Sequence, residues 1–224
     1  MARPSREAVL GDGPGCVQLI HQFHNGEFLL ANREFKTALS GLLMKFKQQF
    51  HVRIHHYCFM DSHIHIVTSF DDAKEHSAFM HAVFFRLAQL INVTLKRHGH
   101  VFNDRPKTPV IQSGKTLLAT MRYLDLNPVR AKMVAKAHHY DWSSYRHYAF
   151  GEKNELIDTA PDYEALSRSP ELRRKLYREL VDTLEGHGFQ RLPKMNTWYF
   201  IGDLDWVTKK LKDGGFLRRK KPPG

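Results

Sequence analysis

The chain is short of cysteine, of acid and of long apolar runs. Its two cysteines, Cys16 and Cys58, stand far apart with no Cys-x-x-Cys partner. That excludes a disulfide framework and a cysteine zinc site, and it fits a reducing cytoplasm. No uninterrupted apolar stretch approaches the ~20 residues of a bilayer-spanning helix, and the opening MARPSREAVLGDGPG has basic residues but no apolar centre of a secretion signal. The expectation is a soluble, unexported cytoplasmic protein with no membrane partner. Asp and Glu number 23 against 34 Lys and Arg, a formal charge of +11, so a polyanion such as nucleic acid leads the partner classes, with solvated basic faces as the plainer alternative.

What is present is enough apolar material for a core without staples, 42% of 224 residues. Residues 1–15 hold Pro4, Gly11, Gly13, Pro14 and Gly15 and read as a flexible arm, with order starting near Cys16. CVQLIHQF reads as a strand. NREFKTALSGLLMKFKQQF reads as a helix capped by Asn32, with Phe35, Leu39, Leu42, Leu43 and Phe46 as its apolar stripe. HVRIHHYCFM and HIHIVTSF are strand-like and separated only by Asp61 and Ser62, which is hairpin spacing. From Asp72 to His98 the spacing of Phe79, Val83, Phe84, Leu87, Ile91 and Leu95 is helical, with Gly99 as its stop.

VFNDRPKTPVIQ holds two prolines and supplies a loop and a short strand; a further helix starts near Ser113 and is interrupted at Pro128. The order is β-α-β-β-α-β plus an added helix, which predicts an α+β, ferredoxin-like split βαβ fold with an antiparallel sheet. After Gly151 come an amphipathic helix, PELRRKLYRELVDTLEG, a shorter one in IGDLDWVTKKLKDGG and a basic tail. Residues 152–224 therefore read as a helical C-terminal extension. From Lys209 to Lys221 seven Lys or Arg face one acid, a tail that tracks a phosphate backbone or simply solvates the end.

Side chains two apart on a strand share a face, so His63 and His65 project together and Ile64 and Ile66 project oppositely. Such a pair suits metal capture, or it is two polar residues on a wet sheet face; two ligands do not define a site. In RYLDLNPVRA, Tyr123 and Asn127 are four apart and share a helix face while Asp125 points elsewhere. Two imidazoles and an amide oxygen would leave positions on Mg²⁺ or Mn²⁺ for phosphate oxygen and water. The plainer reading packs the Tyr123 ring in the core and leaves Asn127 as a helix end. SGKT at 113–116 is no phosphate loop, because Pro109 stands where the first glycine is required. His55, His56, His138 and His139 read as surface or nucleic-acid-facing, and Trp142, Tyr145 and Tyr148 as base-stacking platforms or core aromatics.

Four ordered blocks, CFMDSHIHIV, HGHVFNDRPK, MRYLDLNPVRAKMV and YDWSSYRHYAFG, resemble the REP-associated tyrosine transposases, a branch of the single-tyrosine HUH transposases. The resemblance spans roughly residues 17–151 and implies an HUH endonuclease core at 16–151, acting on single-stranded DNA beside hairpins. It implies Tyr123 as nucleophile, forming a 5′-phosphotyrosine, and His63, His65 and Asn127 as ligands of Mg²⁺ or Mn²⁺. Arg105 and Lys107 fall on the family's basic pair, and Arg122, Arg130, Arg146, Arg218 and Arg219 complete the expected DNA-facing set. Where family members read proline and asparagine before the first histidine, this chain has Asp61 and Ser62. A non-catalytic hairpin-binding derivative and a relaxase or replication-initiator nickase stay open as alternatives, as do monomer and homodimer.

Overall fold

The computed structural model describes residues 13–182 and 199–213. Strand β1 (Gly15–Gln22) leads through two short 3-10 turns to helix α1 (Arg33–Gln49), and the hairpin of β2 (Arg53–Phe59) and β3 (His63–Phe70) follows. Asn32 caps α1 by accepting from the Glu34 amide at 2.8 Å, and Phe35, Leu39, Leu43 and Phe46 form its buried stripe. Helix α2 (Ala73–Thr94) starts on Asp72, whose carboxylate accepts from the amides of Lys74 and Glu75. Strand β4 (Val110–Ile111) then completes the split βαβ unit.

The sheet order is β2-β3-β1-β4-β5, antiparallel throughout except for the last pair. Its first four positions match the expected ferredoxin-like order. Periodicity did not announce β5 (Phe200–Ile201), a two-residue strand after Gly151 that pairs parallel with β4. Strand-length alternation cannot show in two residues, and Phe200 and Ile201 are recruited because β4 offers an open edge. Residues beyond Gly151, among them Leu156, Tyr163, Tyr177 and Val181, share one apolar core with the sheet.

Alternation divides the sheet into two faces. Leu19, Ile64, Ile66, Thr68 and Phe70 are on one, all at most 1% exposed. Helix α2 covers them: His76 bonds Thr68 Oγ1 at 2.9 Å and stacks on Phe70, and α1 lies against α2. The other face carries Gln18, His56, Cys58, His63, His65 and Val67. Helix α3 (Lys115–Asp125) brings Asp125 to this second face, where Tyr177 of α7 (Pro170–Asp182) meets it, and α4 (Asn127–Arg130) follows α3. Two more one-turn helices, α5 (Tyr145–Phe150) and α6 (Pro161–Glu164), fill the gap beside α7, and α8 (Leu204–Asp213) follows β5.

Two element boundaries differ from the pattern reading. Helix α2 stops at Thr94 rather than running to Gly99, because Lys96 takes a left-handed conformation (φ 49°) and the Arg97 amide bonds back to Asn92 at 2.9 Å. That is a Schellman closure with lysine in the position glycine usually fills, and it leaves Leu95 45% exposed instead of buried. The second is α3, which closes at Asp125; a separate turn opens at Asn127 with Pro128 in its first positions, where its missing amide costs nothing. Among the described residues no helix is long and apolar enough to cross a membrane.

Candidate active site

The hairpin places His63 and His65 at the start of β3 with ring centroids 4.7 Å apart and planes at 89°. His65 is 6% exposed, and His63 is half-buried. Burial holds both imidazoles below their usual pKa; for His65 the positive charges of neighbouring His63, His56 and Arg130 push in the same direction. Both rings are thus kept in the neutral form that a metal requires. Their Nδ1 atoms are engaged, His63 by Ser62 Oγ at 3.1 Å and His65 by the Gln18 amide at 3.3 Å. The Gln18 atom facing His65 is the amide nitrogen; a half-turn of that amide would set its oxygen there, and with each Nδ1–H donating outward each Nε2 would present a lone pair. Among the described residues neither Nε2 has a hydrogen-bond partner, and neither is enclosed.

The turn before the pair is built differently from the proline-asparagine turn of the family it resembles. Asp61 accepts from Lys36 Nζ at 2.8 Å, and the lysine side chain is only 5% exposed. Lys36 also donates to the Tyr140 hydroxyl at 3.2 Å, which in turn donates to the Phe59 carbonyl at 2.6 Å. A buried lysine needs such a counter-charge. Asp61 therefore fastens the turn to α1, and Ser62 orients the first imidazole.

Helix α3 supplies Tyr123 and Arg122. The guanidinium of Arg130, in the following turn, lies 4.6 Å over the Tyr123 ring, and its charge acts on His65. Tyr123 is half-buried and packs its ring on the core edge. Arg122 is half-buried, desolvation lowers its pKa, and it makes no hydrogen bond or ion pair among the described residues. Asn127 opens α4, and its Nδ2 is buried without a partner. Because α3 breaks at Leu126, the shared face of Tyr123 and Asn127 depends on α4 docking rather than on one continuous helix.

These residues fit a divalent cation. A buried, orphaned amide position is costly unless a ligand satisfies it, and a half-turn of the Asn127 amide puts a carbonyl oxygen there. Among the described residues no group of three His, Cys, Asp or Glu side chains gathers into a metal cluster.

Behind the pair lies a network that residue spacing did not reveal. His56 Nε2 donates to Asp125 Oδ1 at 2.8 Å, and the Tyr177 hydroxyl from α7 donates to Asp125 Oδ2 at 2.5 Å, with both side chains of the His56–Asp125 pair fully buried. Asp125 does point away from Tyr123, as expected, but into the core. His55 and His56 are not surface residues: they are 4% and 0% exposed. His55 is the extra residue of a β-bulge, with Nδ1 on the Asp158 carbonyl at 2.8 Å and Nε2 on Ser69 Oγ at 2.7 Å. The available signal was Asp125 on the apolar side of a helix with Leu117, Met121 and Leu124, since an acid there demands a buried partner.

The remaining basic residues scatter. Lys107 pairs with Ile20 across β1, and Ile20 pairs with His65, so the register sets Lys107 on the imidazole face. Arg105 is exposed on the preceding loop. Arg146 donates to the His138 carbonyl at 2.8 Å and pairs with Asp141 at 3.0 Å. Arg218 and Arg219 lie outside the described residues. Tyr145 and Tyr148 are 3% and 0% exposed core residues, so they offer no stacking platform, and Trp142 packs partly buried against the core.

A solved structure described as a REP-associated tyrosine transposase bound to a REP hairpin aligns with this chain at a TM-score of 0.56 and 15% identity, covering 71% of this chain and 93% of that one. The chain shares the α+β fold of that structure. No protein-family model and no curated protein matches the chain. At this identity the likeness concerns the fold alone.

Proposed function

We propose that the chain is a metal-dependent single-stranded DNA endonuclease and strand transferase acting beside DNA hairpins. The observation that carries this reading is the His63–His65 pair, with neither Nε2 hydrogen-bonded among the described residues, on the sheet face that α3 meets through Asp125. The transposase fold and its hairpin-bound relative support it. The chemistry belongs to residues 16–151, which the extension at 152–224 braces through Tyr177 and β5.

In this reading the Tyr123 Oη attacks a phosphodiester, forming a P–O bond to tyrosine as the P–O3′ bond breaks. The phenol proton passes to water, and the departing oxygen takes a proton to become a 3′ hydroxyl. The phosphotyrosine keeps the bond energy, so a second attack by a DNA hydroxyl rejoins strands and frees the phenol. His63, His65 and Asn127 would hold Mg²⁺ or Mn²⁺, which supplies polarisation of the phosphate and stabilises charge on the pentacovalent state. Arg130 packs its guanidinium over the Tyr123 ring and holds it in place. Arg122, desolvated and unpaired, is a ready receptor for a backbone phosphate.

The test is incubation of the full chain with labelled single-stranded DNA from its own chromosomal flanks, followed by a denaturing gel. A protein-linked product is expected with Mg²⁺ or Mn²⁺ and none from Tyr123→Phe. An adduct that persists in Tyr123→Phe, or cleavage by the His63→Ala/His65→Ala double variant in chelator, refutes the assignment. Tight hairpin binding with no nicking in either ion establishes the non-catalytic alternative.

A further inference from the structure

We infer that a groove on the helix side of the sheet binds unpaired bases of the DNA strand; this rests on the DNA reading above and adds where that strand lies. The groove runs between α2 and the loop at 99–106, with a volume of about 580 Å³, within the ~300–1,000 Å³ of ligand clefts. It continues through Gly99 into a second hollow of about 420 Å³ at the end of α2, beside Lys96 and His98.

Its lining is aromatic where bases would stack. The His81 and Phe85 rings stack at 5.6 Å and 9°, and Phe85 is 50% exposed. Packing does not account for Phe85, because Phe79, Val83, Phe84, Leu87 and Ile91 already supply the buried face of α2. The floor is a second stack, His21 on Phe102 at 4.0 Å and 12°. A half-exposed aromatic backed by an imidazole is the platform on which successive bases stack with little regard to sequence.

Charge selects a polyanion over an apolar peptide. Lys96 at one end and Arg105 at the other are exposed, and the acids nearby are few: Asp104 is in the lining, and Glu27 is held by Arg97. Position links the groove to the candidate active site. His21 pairs with Ile64, so it faces away from the imidazoles, yet its neighbour Gln22 pairs with His63 itself. The two sites are therefore separated by the thickness of the sheet at the end of β1, and Lys107 continues the basic path on the imidazole face. A strand bound in the groove reaches His63 by rounding that end.

The experiment compares two probes with the full chain, a DNA hairpin bearing a single-stranded 5′ tail of about six nucleotides and the same hairpin without it, by fluorescence anisotropy. Phe85→Ala is expected to weaken the tailed probe about tenfold and to leave the tailless probe unchanged, since losing one base stack costs this order of affinity. Phe85→Trp, which keeps the platform, should restore tail binding, and iodouracil in the tail should crosslink to the α2 peptide of the wild type. Thermal melting confirms that the half-exposed position tolerates both changes. Equal weakening of both probes, or none, overturns the groove while leaving the DNA reading intact; failure of the wild type to bind either probe overturns both. A concentration-dependent dimer that Phe85→Ala dissolves would reassign the groove to a protein contact and end the proposal.

Discussion

The β2–β3 hairpin carries two histidine pairs, and they have opposite fates. His55 and His56 on β2 are locked to Asp158, Ser69 and Asp125. Among the described residues His63 and His65 on β3 have only their Nδ1 atoms hydrogen-bonded. The residue type is the same, but the β2 pair is adjacent in sequence across a bulge and the β3 pair is two apart; what packs above them differs as well. The acid of α3 reaches His56 and is held in turn by the tyrosine of α7, while no such fixed acid meets the β3 pair among the described residues. The lesson is that a histidine becomes structural or chemical according to whether a fixed partner reaches its second nitrogen.

The largest effect should come from emptying the β3 pair. His63→Ala with His65→Ala should abolish formation of the protein–DNA adduct on a denaturing gel, while a urea melt stays within about 1 kcal/mol of the parent, since neither ring anchors a buried charge. If that variant instead unfolds, the two pairs are alike and the contrast fails. Next comes the β2 pair. Asp125→Ala removes one partner of a fully buried ion pair and should cost about 3–5 kcal/mol by urea melt, with loss of activity following from loss of fold. A mild effect would show that α3 does not depend on the network.

Gln18→Ala sharpens the comparison by touching only the outer support of His65. It should weaken Mn²⁺ binding about 10–100-fold by calorimetry, as loss of such supports does elsewhere, with the melt nearly unchanged. An unchanged affinity would remove Gln18 from the role. The smallest effect concerns pH. Burial holds His55 below its usual 6.5, so the unfolded chain takes up protons first; the stability this group contributes is complete above pH 6.5 and declines as pH falls below it. His55→Gln should flatten part of that acid-side decline in melts between pH 7 and 5, though not all of it, because His63 and His65 are shifted in the same direction. A slope unchanged by the substitution would show that His55 contributes nothing to it.

Much of the architecture is legible in the chain itself. The Asn32 cap, the α1 and α2 stripes, the antiparallel hairpin and the shared projection of His63 and His65 follow from helical and strand geometry, which depends only on residues a few positions apart. Asp61 and Ser62 were visible as a turn. Their tie to Lys36 was not, because a lysine among the apolar positions of a helix reads locally as exposed. The same holds for Tyr145 and Tyr148, whose alternation with polar residues resembles a binding surface until the extension buries them.

Periodicity along the chain thus determined the order of elements, the α+β class and which side chains leave a strand together. The tertiary structure alone decided which of those side chains stay available. Asp125 meets His56 across 69 residues and Tyr177 across 52, and β5 finds β4 from beyond Gly151. Partners so distant are chosen by burial and by the cost of leaving a charge or a backbone edge unpaired, and those costs exist only once the chain has closed upon itself.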